Sequence, residues 1–150
     1  MGPAILVLNG PNLNLLGTRE PEIYGSASLG DLEAETRKRF PDITLRFEQH
    51  NSEGALIDAL HRAAGVETGG VVFNPGAYGH TSIALRDAIA AITTPVLEVH
   101  LSNPAARESF RHTSMIAPEC IGTISGLGHS GYHLAVLYLS HQGVGKTEDS

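Results

Sequence analysis

The chain is short of cysteine, lysine, long apolar runs and net positive charge, and each shortage removes a class of explanation. Its one cysteine, Cys120, cannot close an intrachain disulfide, and such sparse use fits a reducing compartment. The apolar stretch Ala4–Leu8 is far too short for a membrane span or for the apolar part of a secretion signal, and no other run approaches spanning length. A cytoplasmic protein with no membrane partner is therefore expected. A formal net charge of −6 argues against a broad basic face for nucleic acid, although arginines can still gather around an anion in one cleft. Of the two lysines, Lys38 stands in the charged run Arg37-Lys38-Arg39 and Lys146 in the polar tail. Neither has an apolar pocket in view to make its amine nucleophilic, so a Schiff-base lysine is not expected.

What is present is enough for one domain, with 150 residues, 41% of them hydrophobic and 17% charged. Residues 1–142 read as a single α/β unit and 143–150 as a polar tail. Short β-rich runs at Ile5–Leu8, Thr44–Phe47, Val71–Phe73, Val96–Val99 and Cys120–Ile124 read as strands. Between them Leu29–Phe40, Gly54–Ala64 and Ser82–Ile92 carry apolar residues at spacings of three and four, as helices do. A shorter helix is expected at Pro104–Phe110, opened by its proline, and a last one at about Gly131–Ser140. Five strands alternating with helices predict a parallel sheet covered on both faces. The simplest right-handed arrangement is a flavodoxin-like three-layer sandwich.

Such sheets bind ligands beyond the carboxyl ends of their strands. Just past the predicted strands stand Asn9-Gly-Pro-Asn12, Gln49-His50-Asn51, Asn74-Pro-Gly76, His100-Leu-Ser102 and Ser125-Gly-Leu-Gly128, a rim suited to a hydroxylated ligand. The first of these continues into a long Gly/Pro-rich loop, NGPNLNLLGTREPEIYG (9–25), which brings Asn12, Arg19, Glu20 and Tyr24 into one lid-like element. In NPGAYGHTS (74–82), His80 and Ser82 fall at a helix start, where unpaired amides favour a polar or anionic group. In EVHLSN (98–103), Glu98 lies two residues before His100 on the same strand face, where a carboxylate can fix the imidazole tautomer for general acid work. Ser102 and the following amide are expected to open the next helix. Arg107 and Arg111 follow four residues apart, and either is able to reach a ligand anion.

These segments, with EQHNSEG (48–54) and ISGLGHSGYHLAV (124–136), stand in the order and at the spacings of a known family. From about Ile5 to about Leu139 the chain resembles the type II 3-dehydroquinate dehydratases. The resemblance implies anti elimination of water from 3-dehydroquinate to 3-dehydroshikimate through an enolate, in the shikimate pathway of aromatic amino-acid biosynthesis. It implies a flavodoxin-like fold with no cofactor and no metal, assembled as a homododecamer of four trimers. By the same resemblance Tyr24 is the base, His100 the general acid, Arg19 the lid cation that activates Tyr24, and Asn12 a holder of the enolate oxygen through a water. Asn74, His80, Leu101, Ser102 and Arg111 are implied to bind substrate, with Asp87 reaching the site of a neighbouring subunit. The chain departs from the family's usual pattern at Gly79, His50 and Pro104-Ala105-Ala106, none of them a catalytic group.

The implied chemistry is physically coherent. Tyrosine ordinarily ionises near pH ~10, so a phenolate base near neutrality needs roughly 4 kcal/mol of preferential stabilisation. A guanidinium about 4 Å away, at an effective dielectric of 20, supplies on the order of 4 kcal/mol. Closing Arg19 over Tyr24 would thus activate the base. Three other patterns lead elsewhere or nowhere. Gly126–Gly131 matches GxGxxG but is not followed by the rest of a dinucleotide-binding unit. Gly143–Thr147 has Ser140 where a phosphate-binding loop needs its first glycine. His129 and His133 lack a matched ligand set and read as satisfied or exposed helix histidines. The alternative from another class is a non-catalytic small-ligand or flavin-binding module, which would have no need of the Arg19/Tyr24 lid with His100.

Overall fold

A computed structural model describes residues 2–18, 20–24 and 27–145, with the backbone alone described at positions 21, 24 and 143–145. Strand β1 (Ala4–Asn9) is followed by a 3₁₀ turn at Leu13–Leu15 and the single-turn helix α1 (Pro21–Tyr24). Then come α2 (Leu29–Arg39), β2 (Leu45–Gln49), α3 (Glu53–Arg62), β3 (Thr68–Asn74), α4 (Ile83–Ala90), β4 (Val96–His100), β5 (Gly122–Ser125) and α5 (His129–Gly145). All five strands are parallel, in the order β2-β1-β3-β4-β5. This is the flavodoxin-like arrangement, with its reversal of winding between β1 and β3.

Alternation along β1 explains the three layers. Ile5 and Val7 point to one face, where they pack with Leu32 of α2 and with Tyr132, Val136 and Leu139 of α5. Leu6 and Leu8 point to the other, against Leu56 and Leu60 of α3 and Leu85 and Ile89 of α4. A strand buried on both faces reads as an unbroken apolar run, which is why β1 and β3 were legible without alternation.

Caps set the helix starts. Ser28 and Asp31 form a reciprocal capping box on α2, and Ser52 and Ser82 accept the first-turn amides of Ala55 in α3 and Leu85 in α4. The helix expected at Pro104–Phe110 is instead two 3₁₀ turns, Pro104–Ala106 and Ser109–Arg111, because Arg107 is extended between them. The first of these is capped by Asn103, whose side chain accepts the Ala105 amide, rather than opened by Ser102. The fifth strand starts at Gly122 rather than Cys120. No described helix is long and apolar enough to cross a membrane.

Candidate active site

The carboxyl ends of β1, β3 and β4 converge on one cleft, at the switch point where such folds bind ligands. Residues 11–13 line it after β1, Asn74, Gly76, Ala77 and His80 after β3, and His100, Leu101, Ser102, Pro104, Arg107 and Arg111 after β4. The chain ends of β1 and β3 fit together only because their turns are bare. A Cβ on Gly10 would fall 2.4 Å from the Pro75 carbonyl oxygen, and Gly76 adopts a φ of +62° beside Pro11. Asn12 itself is left-handed, with φ 69°, and its backbone N–H donates to Asn51 Oδ1 at 3.0 Å. Gln49 donates to the same Asn51 oxygen and to the Gly10 carbonyl, tying the end of β2 to the root of the loop.

His100 ends β4, and its Nε2 lies 2.5 Å from Oε2 of Glu98, which is buried. The two-residue spacing thus produces the contact expected of it. The His80 ring stacks on His100, with centroids 5.9 Å apart, and its Nδ1 lies 3.0 Å from the Thr113 carbonyl oxygen, to which it donates. Behind Glu98, burial pushes the Cys120 thiol up to about 12, with Glu98 and Glu119 adding to the effect, so this cysteine is a thiol and not a nucleophile near neutral pH. On the far wall the Arg107 guanidinium bonds Ser102 Oγ at 3.3 Å and comes within 3.8 Å of Glu20. Arg111 donates to Glu108 at 2.7 Å and holds that carboxyl below the usual range. Both guanidiniums are largely sheltered from solvent yet line the cleft, which gives it a positive wall for an anionic ligand.

Of the sequence-expected residues, the structure gathers Asn12, Asn74, His80, His100, Leu101, Ser102 and Arg111 around this single cleft. Asp87 does not join them; it is exposed on α4, outside the cleft of its own chain. Arg19 lies outside the described residues, as does the side chain of Tyr24, whose backbone belongs to α1. The pattern of residues did not single out Tyr132 or Ser114. The Tyr132 hydroxyl donates to Asn9 Oδ1 at 2.5 Å and accepts from Asn74 Nδ2 at 2.8 Å, fixing the asparagine that faces the cleft. Ser114 donates to Glu98. Neither contact follows a local spacing rule. Among the described residues no group of histidine, cysteine and carboxylate side chains is placed to hold a metal ion.

Comparisons with known proteins agree with this fold. The family model described as dehydroquinase class II matches residues 3–140. A protein of Exiguobacterium named 3-dehydroquinate dehydratase is 61% identical over 133 residues, covering 88% of this chain and 90% of its own. Crystal structures of type II dehydroquinases from Propionibacterium acnes and Butyrivibrio crossotus superimpose with TM-scores of 0.88 and 0.90, at 45% and 44% identity. Each covers 93% of this chain, and 97% and 98% of the respective structure.

Proposed function

The chain belongs to the class II dehydroquinase family, and from that premise we propose that it removes water from 3-dehydroquinate by anti elimination through an enolate, giving 3-dehydroshikimate in the shikimate pathway. The observation that carries this reading is the buried Glu98–His100 pair opening onto a cleft with an arginine wall. The reaction needs a base for the proton alpha to the ketone, a holder for enolate charge and an acid for the departing hydroxyl. Tyr24 is the base, made ionisable by Arg19 when the loop closes. Asn12 stabilises the enolate oxygen through a bridging water. His100 acts as the imidazolium: its Nε2–H stays with Glu98 while its Nδ1 proton passes to the leaving hydroxyl, which leaves the ring neutral with its remaining proton on Nε2, so that one water departs for each proton removed. Asn74, His80, Leu101, Ser102 and Arg111 hold the substrate hydroxyls and carboxylate. No step uses a cofactor or a metal.

The same reading makes the working form a cytoplasmic homododecamer, a tetramer of trimers, in which Asp87 serves a neighbouring subunit's site. Its support is the exposure of Asp87 outside its own cleft, together with an open β5 edge.

The test is to mix the purified protein with 3-dehydroquinate, without added metal or cofactor, and to follow the ultraviolet absorbance of the conjugated enone. Turnover that survives borohydride is expected, and Tyr24→Phe should abolish it while substrate binding is largely kept. Borohydride-sensitive turnover would mean an imine at Lys38 or Lys146 and would overturn the enolate route. Absence of turnover from folded protein would return the site to a binding module.

A further inference from the structure

The segment that follows the two 3₁₀ turns touches the acid pair from behind. Ser114 Oγ lies 2.9 and 3.0 Å from the two oxygens of Glu98, and it also accepts the Ala117 backbone N–H at 3.0 Å. One residue on, the Met115 amide donates to the Gly79 carbonyl at 2.7 Å, and one residue back, the Thr113 carbonyl accepts from His80. A hydroxyl whose oxygen is already bonded by an amide turns its only proton to the remaining partner, and the two bonds strengthen each other. That partner is a carboxylate almost wholly inside the protein, whose other bond is to His100 Nε2.

We propose that Ser114 is a positioning residue for the reaction: the relay Ala117 N–H to Ser114 to Glu98 holds the carboxylate as an acceptor and thereby fixes the proton of neutral His100 on Nε2. This inference rests on the functional reading above. Without the Ser114 proton one buried carboxylate lone pair is unmatched. Glu98 is then free to rotate, and the orientation and tautomer of His100 are no longer unique. Ser114 touches no reacting atom, so its effect belongs to the chemical step rather than to substrate affinity.

The experiment compares Ser114→Ala, Ser114→Thr, Glu98→Gln and the Ser114→Ala/Glu98→Gln double variant by steady-state kinetics on 3-dehydroquinate. A charge-assisted hydrogen bond sets the expected scale: Ser114→Ala should lower kcat ~10-fold with KM within about twofold. Ser114→Thr, which keeps the hydroxyl, should recover most of that loss. In the Glu98→Gln background Ser114→Ala should cost almost nothing more, because the relay then ends on an amide. Loss of the cap on Ala117 would by itself lower stability equally in both backgrounds, and so does not mimic this pattern. Should Ser114→Ala fail to fold, Ser114→Cys keeps the shape with a much weaker donor and should show the kcat loss in its place. A kcat within about twofold of the parent, a loss confined to KM, or an undiminished loss in the Glu98→Gln background would each overturn the proposal. If the parent enzyme does not turn over 3-dehydroquinate, the functional reading fails instead. Nitrogen-15 spectra of His100 then decide the relay alone: an Nε2–H tautomer that becomes mixed in Ser114→Ala supports it, and an unchanged spectrum overturns it.

Discussion

Tyr132 has no surface exposure, yet its hydroxyl is engaged on both sides, by Asn9 and Asn74 at the paired ends of β1 and β3. Burial pushes its ionisation far above the ordinary tyrosine range, so at any working pH it is a neutral donor. Tyr132→Phe should therefore cost about 1–3 kcal/mol, the penalty for leaving buried amide groups unpaired. Urea unfolding should show a lower midpoint at unchanged slope, and KM should rise as Asn74 loosens. The partners lie 58 and 123 residues away along the chain, which is why local pattern gave no hint of the contact. His133, one residue further on, overturns a different expectation. Rather than satisfied or exposed, it is buried, with no hydrogen-bond partner at Nε2 among the described residues and Glu35 3.7 Å away. Desolvation outweighs the pull of Glu35 and lowers its pKa below the ordinary 6.5. The unfolded chain then binds the proton more readily, so the stability from this site is present above pH 6.5 and is lost as pH falls toward the depressed folded value. Melting temperatures between pH 8 and 5 should fall less steeply for His133→Leu than for the parent. Identical slopes would show that the site does not contribute.

Among the elements, those defined by repetition were the ones legible beforehand. Strands β1, β3 and β4 announced themselves as short, mostly apolar and often β-branched runs because both faces are covered, and α3 and α4 by apolar spacing. What misled was the stretch after β4. Pro104 is a good helix opener, but Arg107 turns extended and its guanidinium folds back to bond Ser102, so the helix stops after one 3₁₀ turn. Rim residues such as Asn74, His80 and His100 were legible because strand ends in a parallel sheet share one edge; the carboxylate–serine contact behind them was not. Ser82 shows an element boundary serving the site. It caps α4 through the Leu85 amide at 2.9 Å and donates to Glu53 in the first turn of α3, just after the turn that carries His80. Ser82→Ala removes a cap and leaves Glu53 without that donor, a loss of about 1–2 kcal/mol. Denaturant titration measures this directly, and a change under about 0.3 kcal/mol would mean that α4 starts are set by packing alone.

For the molecule as a whole, the sheet explains where the cleft is but leaves one expected participant outside it. The winding reversal between β1 and β3 opens the crevice, and the loops of three strands fill it with asparagine, histidine and arginine. Asp87 faces solvent on α4. At the sheet's edge, Thr123 and Ser125 of β5 are exposed, and Ile121 and Leu127 beside the strand are half-exposed. Open edges and apolar flanks of this kind invite another copy of the chain. If Asp87 acts only across such an interface, a complete site needs Tyr24 from one chain and Asp87 from its neighbour. Homogeneous Asp87→Ala and Tyr24→Phe assemblies should then each be nearly inactive. Unfolding the two together in equal amounts and refolding them creates sites that pair an intact Tyr24 with an intact Asp87. Random mixing in a closed ring gives about one site in four of this kind, so about a quarter of the parent activity should return. Sedimentation of the same samples should show one assembly size throughout. Mixed assemblies of that size without recovered activity would mean that Asp87 does not reach across, whatever the subunit number.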